Sequence, residues 1–173
     1  MGSFLDTLQR FCLWAAASSP PPTPPPPRVV RLDCQKPRPG WEPRYQRLLV
    51  IDDLPRYTQD ILETLRVFYE EASLTIHVAH TFADSLAAFK EGDIQLVILD
   101  SDLNDPEGSG EDLLKAFKSQ EPGVVVLANS SEQRYNDLLL QAGATAALAK
   151  EQRKLRRWLT VNGWQRKEGG PSV

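Results

Sequence analysis

The sequence predicts an α/β fold, a doubly wound parallel sheet of five strands in which a helix follows each strand. Short apolar runs, typical of strands buried on both faces, alternate with longer segments whose apolar residues recur at helical spacing. Five such pairs follow one another between residues 46 and 163. This alternation favours right-handed crossovers and the flavodoxin-like (βα)5 arrangement, with strand order 2-1-3-4-5.

The apolar runs place the strands, and the helical spacing places the helices. The predicted strands cover residues 48–51, 74–79, 94–99, 124–127 and 144–149. The predicted helices cover residues 58–71, 82–90, 110–119, 131–141 and 151–159. The residues predicted to point inward are Ile61, Leu62, Leu65 and Phe68, then Leu86 and Phe89, then Leu113, Leu114 and Phe117, then Leu138 and Leu139. Gly92 and Gly143 follow two of these helices, where a glycine commonly ends the helix.

The residues outside 46–163 are predicted to form separate segments. Residues 1–17 carry apolar side chains at helical spacing, which is compatible with an amphipathic helix. Residues 18–45 are predicted to be a Pro-rich linker, because the prolines that dominate residues 18–27 favour an extended polyproline II spacer. Residues 164–173 are predicted to be a disordered tail.

Composition and charge argue against several classes of function. The net charge of −3 does not suggest a nucleic-acid binder, and no helix-turn-helix follows the last predicted helix. Cys12 and Cys34 form neither a disulfide framework nor a metal-ligand spacing, which fits a reducing compartment. No apolar run reaches the roughly 18 residues that a membrane span needs. We therefore expect a cytoplasmic protein without a membrane span or a DNA-binding domain.

Charged residues follow three of the predicted strands. Asp52 and Asp53 follow the first strand, Asp100 follows the third, and Lys150 follows the fifth. In the order 2-1-3-4-5 the first and third strands are neighbours, and open α/β sheets bind their ligands at such a switch point. We therefore expect three carboxylates and one ammonium group to meet in one crevice.

These residue types predict phosphoryl transfer. Carboxylates that lie close together repel one another unless a cation intervenes, and oxygen ligands favour Mg²⁺. An aspartate can also act as a nucleophile and form an aspartyl-phosphate, whose charge a metal ion and a lysine would neutralise. The residues therefore predict transfer to Asp100, with Mg²⁺ held chiefly by Asp53 and Asp100.

Four motifs resemble the receiver domain of bacterial response regulators. The motifs are Leu49-Val-Ile-Asp-Asp53, Leu96-Val-Ile-Leu-Asp-Ser-Asp102, Val125-Val-Leu-Ala128, and Gln141-Ala-Gly-Ala144 through Lys150. By this resemblance Asp100 is the phospho-acceptor, and Lys150 contacts the phosphoryl group. Asp53 would bind Mg²⁺ directly, Asp52 would act mostly through water, and Asp102 would supply a backbone carbonyl to the metal.

The resemblance also implies partners and a mode of action. The phosphodonor would be a histidine kinase or a histidine phosphotransfer protein. A stand-alone receiver would then signal through contacts with a downstream protein in trans. The 131–159 face is a candidate docking surface, because its last helix is basic and carries Trp158. Such a protein accepts a phosphoryl group and slowly dephosphorylates itself, so we do not expect an enzyme with steady turnover.

Three positions depart from the family. Ala128 stands where a Ser or Thr normally bonds the phosphoryl group, Ala147 where a switch aromatic stands, and Glu151 where a proline follows the lysine. Ser130 or the backbone N–H of Asn129 could replace the missing hydroxyl group. These departures leave open a receiver-like interaction module that signals independently of phosphorylation. A haloacid-dehalogenase-like phosphatase is a third hypothesis, but the order of its motifs along the chain is reversed here.

Two smaller features complete the predictions. The loop after Asp100 is longer than usual and carries Asp105 and Glu107 near the predicted crevice mouth. These are either solvated turn residues or charges that slow the access of an anionic donor. His77 and His80 have no ligand partner at a suitable spacing, so we expect them at the surface or at a sheet edge.

Overall fold

The computed structural model describes residues 25–33, 39–70 and 72–168 of the 173-residue chain. The amphipathic helix predicted over residues 1–17, both cysteines and the end of the predicted tail lie outside these residues. The strands are β1 (Arg28–Leu32), β2 (Trp41–Pro43), β3 (Arg47–Ile51), β4 (Leu74–Ala79), β5 (Leu96–Leu99), β6 (Val125–Ala128), β7 (Ala146–Ala147) and β8 (Trp164–Arg166). The helices are α1 (Pro55–Phe68), α2 (Phe82–Glu91), α3 (Gly110–Gln120), α4 (Gln133–Gln141) and α5 (Gln152–Asn162).

The predicted parallel sheet and its strand order are confirmed. The main sheet has the order β1-β4-β3-β5-β6-β7, and all neighbours from β4 to β7 are parallel. Numbering only these five parallel strands gives the predicted order 2-1-3-4-5. The switch point therefore lies between β3 and β5, as expected for a doubly wound sheet.

Apolar residues that alternate along the strands build a core on each face of the sheet. Leu48 and Val50 of β3 point to the face that α1 and α5 cover. Leu49 and Ile51 point to the opposite face, where α2, α3 and α4 pack. All four side chains are buried, because a central strand of a doubly wound sheet has helices on both sides.

The structure corrects the prediction for residues 18–45, because the described part of this segment contains two strands, β1 and β2. Strand β1 pairs antiparallel with β4 and adds a sixth strand to the sheet. Val30 and Leu32 alternate with Arg31, so the apolar pair packs against the α1–α5 core while the arginine stays exposed. The charged neighbours and nearby prolines concealed this short alternation in the sequence.

The predicted disordered tail also contains structure. Strand β8 pairs antiparallel with β2, so two segments that flank the five parallel strands along the chain form a small second sheet. Its Trp164 packs against Tyr69 at the end of α1, with ring centroids 5.3 Å apart. The Tyr69 hydroxyl donates a hydrogen bond to the carbonyl of Gly163 at 3.1 Å. Burial of aromatic side chains stabilises this segment, which has no periodic pattern of its own.

Two further predictions about single elements were wrong. Strand β7 has only two residues, Ala146 and Ala147, and does not reach Lys150. Leu138 of α4 is 43% exposed, whereas the next residue, Leu139, is fully buried. Adjacent residues on a helix point about 100° apart, so a narrow helix face buries one of them and not the other.

Among the described residues, no helix is long and apolar enough to cross a membrane.

Candidate functional site

The register of the parallel strands aligns their carboxyl ends at one edge of the sheet. Ile51 pairs with Leu99, Leu99 pairs with Ala128, and Ala128 pairs with Ala147. The N–H of Asp100 donates to the carbonyl of Ile51 at 2.9 Å, which continues this alignment by one residue. The residues that follow β3 and β5 therefore enter one crevice, as the sequence predicts, and those that follow β6 lie beside them.

Three carboxylates meet in this crevice. One oxygen atom each from Asp52, Asp53 and Asp100 can be chosen so that all three lie within 4.8 Å of one another. Asp52 is fully buried, Asp100 is buried and Asp53 is half-buried. Burial, partly offset by the ammonium group of Lys150, raises the pKa of Asp52 to about 6, and the charge of Asp100 adds to the increase. Burial and the charge of Asp100 likewise raise the pKa of Asp53.

Lys150 places its ammonium group among these carboxylates. Its Nζ lies 2.6 Å from Oδ2 of Asp100 and 2.7 Å from Oδ2 of Asp52, and the side chain is only 8% exposed. Burial works against the charged form, but the pKa of Lys150 is raised because Asp100 and Asp52 both accept from its ammonium group. The protonated lysine therefore holds the two buried acids in place.

A strained turn brings Lys150 into the crevice. Ala149 and Lys150 both have positive φ, 55° and 53°, in a backbone region that residues other than glycine rarely adopt. The N–H of Lys150 donates to Oδ1 of Asn129 at 3.0 Å, which ties the turn to the end of β6. Because β7 ends at Ala147, this turn and not the strand itself positions the lysine.

Tyr57 of α1 contacts the same ammonium group and was not predicted from the sequence. Nζ of Lys150 lies 3.8 Å from the centroid of the Tyr57 ring, within the range of a cation–π interaction. The guanidinium carbon of Arg56 lies 4.6 Å from the same centroid. No sequence motif marks this contact, because Tyr57 belongs to the first turn of a helix far from Lys150 in the chain.

The hydroxyl group of Ser130 contacts Asp100, the predicted phospho-acceptor. Oγ of Ser130 donates to Oδ1 of Asp100 at 2.5 Å and accepts from the N–H of Ser101 at 2.9 Å. Oδ1 of Asp100 also accepts from the N–H of Asp102 at 3.2 Å. Of the two replacements expected for the hydroxyl missing at Ala128, the structure places Ser130 against the acceptor carboxylate.

In the loop after Asp100, the side chain of Asp105 is engaged by backbone N–H groups. Oδ2 of Asp105 accepts from the N–H of Phe82 at 2.7 Å, and Oδ1 accepts from the N–H of Glu107 at 2.9 Å. Asp105 therefore caps the start of α2 and closes its own turn. This favours a role in the turn over a role in slowing the access of an anionic donor. Glu107 is exposed.

His80 corrects the expectation of a surface histidine, because it is buried behind Asp52. Its Nδ1 lies 2.8 Å from the carbonyl oxygen of Asp52, and only 3% of the residue is exposed. His77 is half-buried, and burial lowers its pKa. His80 thus supports the backbone of a site residue.

The donor set fits a magnesium ion. The three acids offer only oxygen ligands, which Mg²⁺ prefers. Oδ2 of Asp52 is buried, and its partner among the described residues is the ammonium group of Lys150 at 2.7 Å. A buried carboxylate oxygen in this state has a lone pair available for a metal-bound water. Asp52, Asp53 and Asp100 would therefore hold the ion.

Comparison with known proteins identifies the family. The sequence model of the response regulator receiver domain matches residues 48–159, which is more than half of the chain. The chain belongs to this family. The search of curated proteins gave no match.

Solved receiver structures share this fold. The receiver domain of a Pseudomonas aeruginosa sensor histidine kinase, which has a magnesium ion in its active-site cleft, is 22% identical with a TM-score of 0.57. The match covers 68% of this chain and 96% of that one. Chemotaxis protein CheY4 of Vibrio cholerae is 22% identical with a TM-score of 0.55, over 67% of this chain and 97% of that one. A Clostridium thermocellum receiver domain is 25% identical with a TM-score of 0.56, over 67% of this chain and 92% of that one.

The structure brings together most of the receiver residues predicted from the sequence. Asp52, Asp53, Asp100 and Lys150 share one crevice. Asp102 is exposed, and its N–H faces Asp100. That its carbonyl binds the metal remains a prediction.

Proposed function

We propose that this receiver domain accepts a phosphoryl group on Asp100 from a phosphohistidine and signals as a stand-alone response regulator. The observation that carries the proposal is the placement of Asp100 between Lys150 and the acid pair Asp52 and Asp53. A nucleophilic carboxylate needs neighbouring cations that neutralise the transferred group, and this crevice offers one ammonium group and one cation site.

In the proposed reaction a carboxylate oxygen of Asp100 forms a bond to phosphorus as the P–N bond of the donor breaks. The electron pair of that bond leaves with the histidine nitrogen, and the leaving imidazole takes a proton from water. Lys150 keeps its proton, because the neighbouring carboxylates raise its pKa. Its ammonium group can therefore pass from Asp100 to an oxygen of the transferred group.

Asp52, Asp53 and Asp100 are proposed to hold Mg²⁺, with a backbone carbonyl from Asp102. When bound, Mg²⁺ would supply positive charge that, together with the ammonium group of Lys150, offsets the charge of the phosphoryl group. The Pseudomonas receiver with magnesium in its cleft supports this proposal by analogy of fold. Burial and the charge of Asp100 raise the pKa of Asp53, and a bound metal ion would favour its charged form.

The proposed partners are a histidine kinase or a histidine phosphotransfer protein, and a downstream protein in the cytoplasm. The 131–159 face remains our candidate for the downstream contact. Leu138 and Leu140 of α4 are 43% and 38% exposed there. Arg153, Lys154, Arg156 and Arg157 of α5 are exposed as well, so an acidic and partly apolar partner would fit. We propose slow self-dephosphorylation without steady enzymatic turnover.

A receiver-like module that signals without phosphate is the second candidate. Ala128 and Ala147 favour it, because neither can act in the hydroxyl–aromatic coupling that the family uses. The ion pairs of Lys150 with Asp52 and Asp100 also keep the crevice ordered without any added group. In that case the binding of the downstream partner would not change when Asp100 is replaced by asparagine.

Intact-mass measurement tests the first proposal. The folded protein is incubated with Mg²⁺ and phosphoramidate, with Asp100→Asn as the control and with a sample in EDTA. We expect the wild-type protein to gain the mass of one phosphoryl group and the other two samples to gain none. A wild-type protein that is folded, binds Mg²⁺ and gains no mass would favour the second candidate.

A further inference from the structure

The carbonyl oxygen of Asp52 is held by a side chain and not by the ladder of the sheet. Strands β3 and β4 pair in parallel up to Ile51 and Ala79, and the N–H of Asp52 still donates to the carbonyl of Ala79 at 3.3 Å. A parallel ladder would continue with a bond from the N–H of Thr81 to the Asp52 carbonyl. Thr81 instead begins α2 as its N-cap, and Nδ1 of His80 lies 2.8 Å from that carbonyl.

The chemistry of the two groups determines which of them donates. A backbone carbonyl can only accept, so Nδ1 of His80 carries the hydrogen atom. Nδ1 carries a hydrogen atom in this neutral tautomer and in the imidazolium form, so the bond does not depend on the charge of the ring. His80 is 3% exposed and Asp52 is fully buried, so water cannot easily replace the ring as the donor to this carbonyl.

The Asp52 carbonyl belongs to the peptide unit that leads to Asp53. Because a peptide unit is planar, the direction of this carbonyl fixes where the N and Cα atoms of Asp53 lie. Lys150 holds the carboxylates of Asp52 and Asp100 directly, at 2.7 and 2.6 Å. No ion pair within the described residues holds the half-buried Asp53 in the same way. The place of the Asp53 carboxylate therefore depends on the main chain that His80 fixes.

We propose that His80 is a positioning residue for the magnesium site, because its ring holds the peptide unit that directs Asp53 toward the other two acids. This inference rests on the metal site of the proposed function. One oxygen atom each from Asp52, Asp53 and Asp100 can be chosen so that all three lie within 4.8 Å of one another. Mg²⁺ demands near-ideal geometry from its ligands, so a peptide unit that could tilt would weaken binding. His80 acts through the Asp52 carbonyl and does not itself bind the ion.

The affinity of the folded full chain for Mg²⁺ tests this role, measured by isothermal titration calorimetry at pH 8. His80→Leu removes the hydrogen bond and keeps a bulky side chain. We expect it to raise Kd at least about tenfold, the usual effect of losing a group that orients a metal ligand. His80→Asn carries an amide N–H at the place of Nδ1 and should restore most of the affinity. His77→Leu, which changes the half-buried second histidine of the chain, is the matched control and should leave Kd unchanged.

Two results would overturn the inference, and urea unfolding in EDTA shows that the variants compared are folded. The first is a wild-type Kd in His80→Leu. The second is a raised Kd that His80→Asn does not rescue, because packing of the ring and not its hydrogen bond would then be responsible.

If His80→Leu does not fold, two further measurements decide. His80→Gln keeps a polar side chain but moves the N–H beyond the Nδ1 position, so its Kd should rise while that of His80→Asn does not. In the wild-type protein, the ¹⁵N chemical shifts of the His80 ring at pH 8 should show the hydrogen atom on Nδ1. Equal Kd values for the two variants, or a hydrogen atom on Nε2 alone, would overturn the inference.

The outcomes separate this inference from the proposed function. If the wild-type protein gains a phosphoryl group on Asp100 and His80→Leu binds Mg²⁺ equally well, the proposed function stands and the role of His80 is wrong. If the folded wild-type protein binds no Mg²⁺, the metal site and this inference are both wrong. Enough Mg²⁺ to saturate His80→Leu should restore the wild-type rate of phosphorylation by phosphoramidate, because Asp100 and Lys150 are unchanged. A rate that stays low at saturation would contradict a role in metal binding alone.

Discussion

Replacing Asp52 with asparagine should stabilise the metal-free protein at neutral and alkaline pH. The carboxyl group is fully buried, and its pKa in the folded protein is raised from 3.8 to about 6. The folded protein thus binds this proton more tightly than the unfolded chain does. The stabilisation from this group is complete below about pH 4 and is lost as the pH rises through 6.

The magnitude follows from the same two values. The difference between 3.8 and about 6, at about 1.4 kcal/mol for each pH unit, corresponds to about 3 kcal/mol of unfolding free energy lost by pH 8. An asparagine amide cannot accept hydrogen bonds from both Leu54 and Lys150, which costs about 1 kcal/mol. We therefore expect Asp52→Asn to raise the unfolding free energy by about 2 kcal/mol at pH 8 in EDTA and to lower it by up to about 1 kcal/mol at pH 4, where only the cost of the amide remains.

Urea unfolding monitored by circular dichroism measures this gain, since the midpoint shifts with stability at constant slope. Asp137→Asn is the matched control, because Asp137 is exposed and, in the part of the chain that the structure describes, its side chain bonds to Gln133 of its own helix. Mg²⁺ should stabilise the wild-type protein more than Asp52→Asn, because the variant loses an oxygen ligand. A variant that is less stable than the wild type at pH 8 in EDTA would refute this reasoning.

Three further predictions concern residues outside the acid pair. Tyr57→Leu should slow phosphorylation severalfold and Tyr57→Phe should not, because the ring face 3.8 Å from Lys150 contributes about 0.5–2 kcal/mol. Intact mass measured over time gives the rates, and equal rates for the two variants would contradict this. Gly110→Ala should cost about 1–3 kcal/mol in urea unfolding, because its Cβ would overlap the backbone of Asp100 and Ser101, whereas Gly123→Ala should cost little. Tyr69→Phe should cost about 1 kcal/mol by removing the buried hydrogen bond to Gly163, and an unchanged midpoint would show that bond to be unimportant.

Residues whose position depends on local periodicity were predictable from the sequence. Asp52, Asp53 and Asp100 each follow an apolar run, and parallel register carries the ends of such runs to one edge of the sheet. The crevice could therefore be predicted before any contact was known. Lys150 was placed there for the same reason, although a turn and not a strand end brings it into the crevice.

Residues whose role depends on long-range packing were not predictable. Tyr57 and Asn136 belong to helix faces with no special pattern, and their contacts with Lys150 and Ser130 exist only after the helices dock. Strands β1, β2 and β8 were missed because each is short and flanked by charged residues or proline, so pairing and aromatic burial determine them. Tertiary contacts override weak local preference in such segments.

Localising the phosphoryl group on the chain tests the central claim most directly. Borohydride reduces an aspartyl-phosphate to homoserine, so the wild-type protein is treated with phosphoramidate and Mg²⁺, reduced, digested and sequenced by tandem mass spectrometry. We expect homoserine at position 100 alone, and none in EDTA or in Asp100→Asn. Homoserine at another aspartate, or none in a folded protein shown to bind Mg²⁺, would contradict the assignment of Asp100 as the phospho-acceptor.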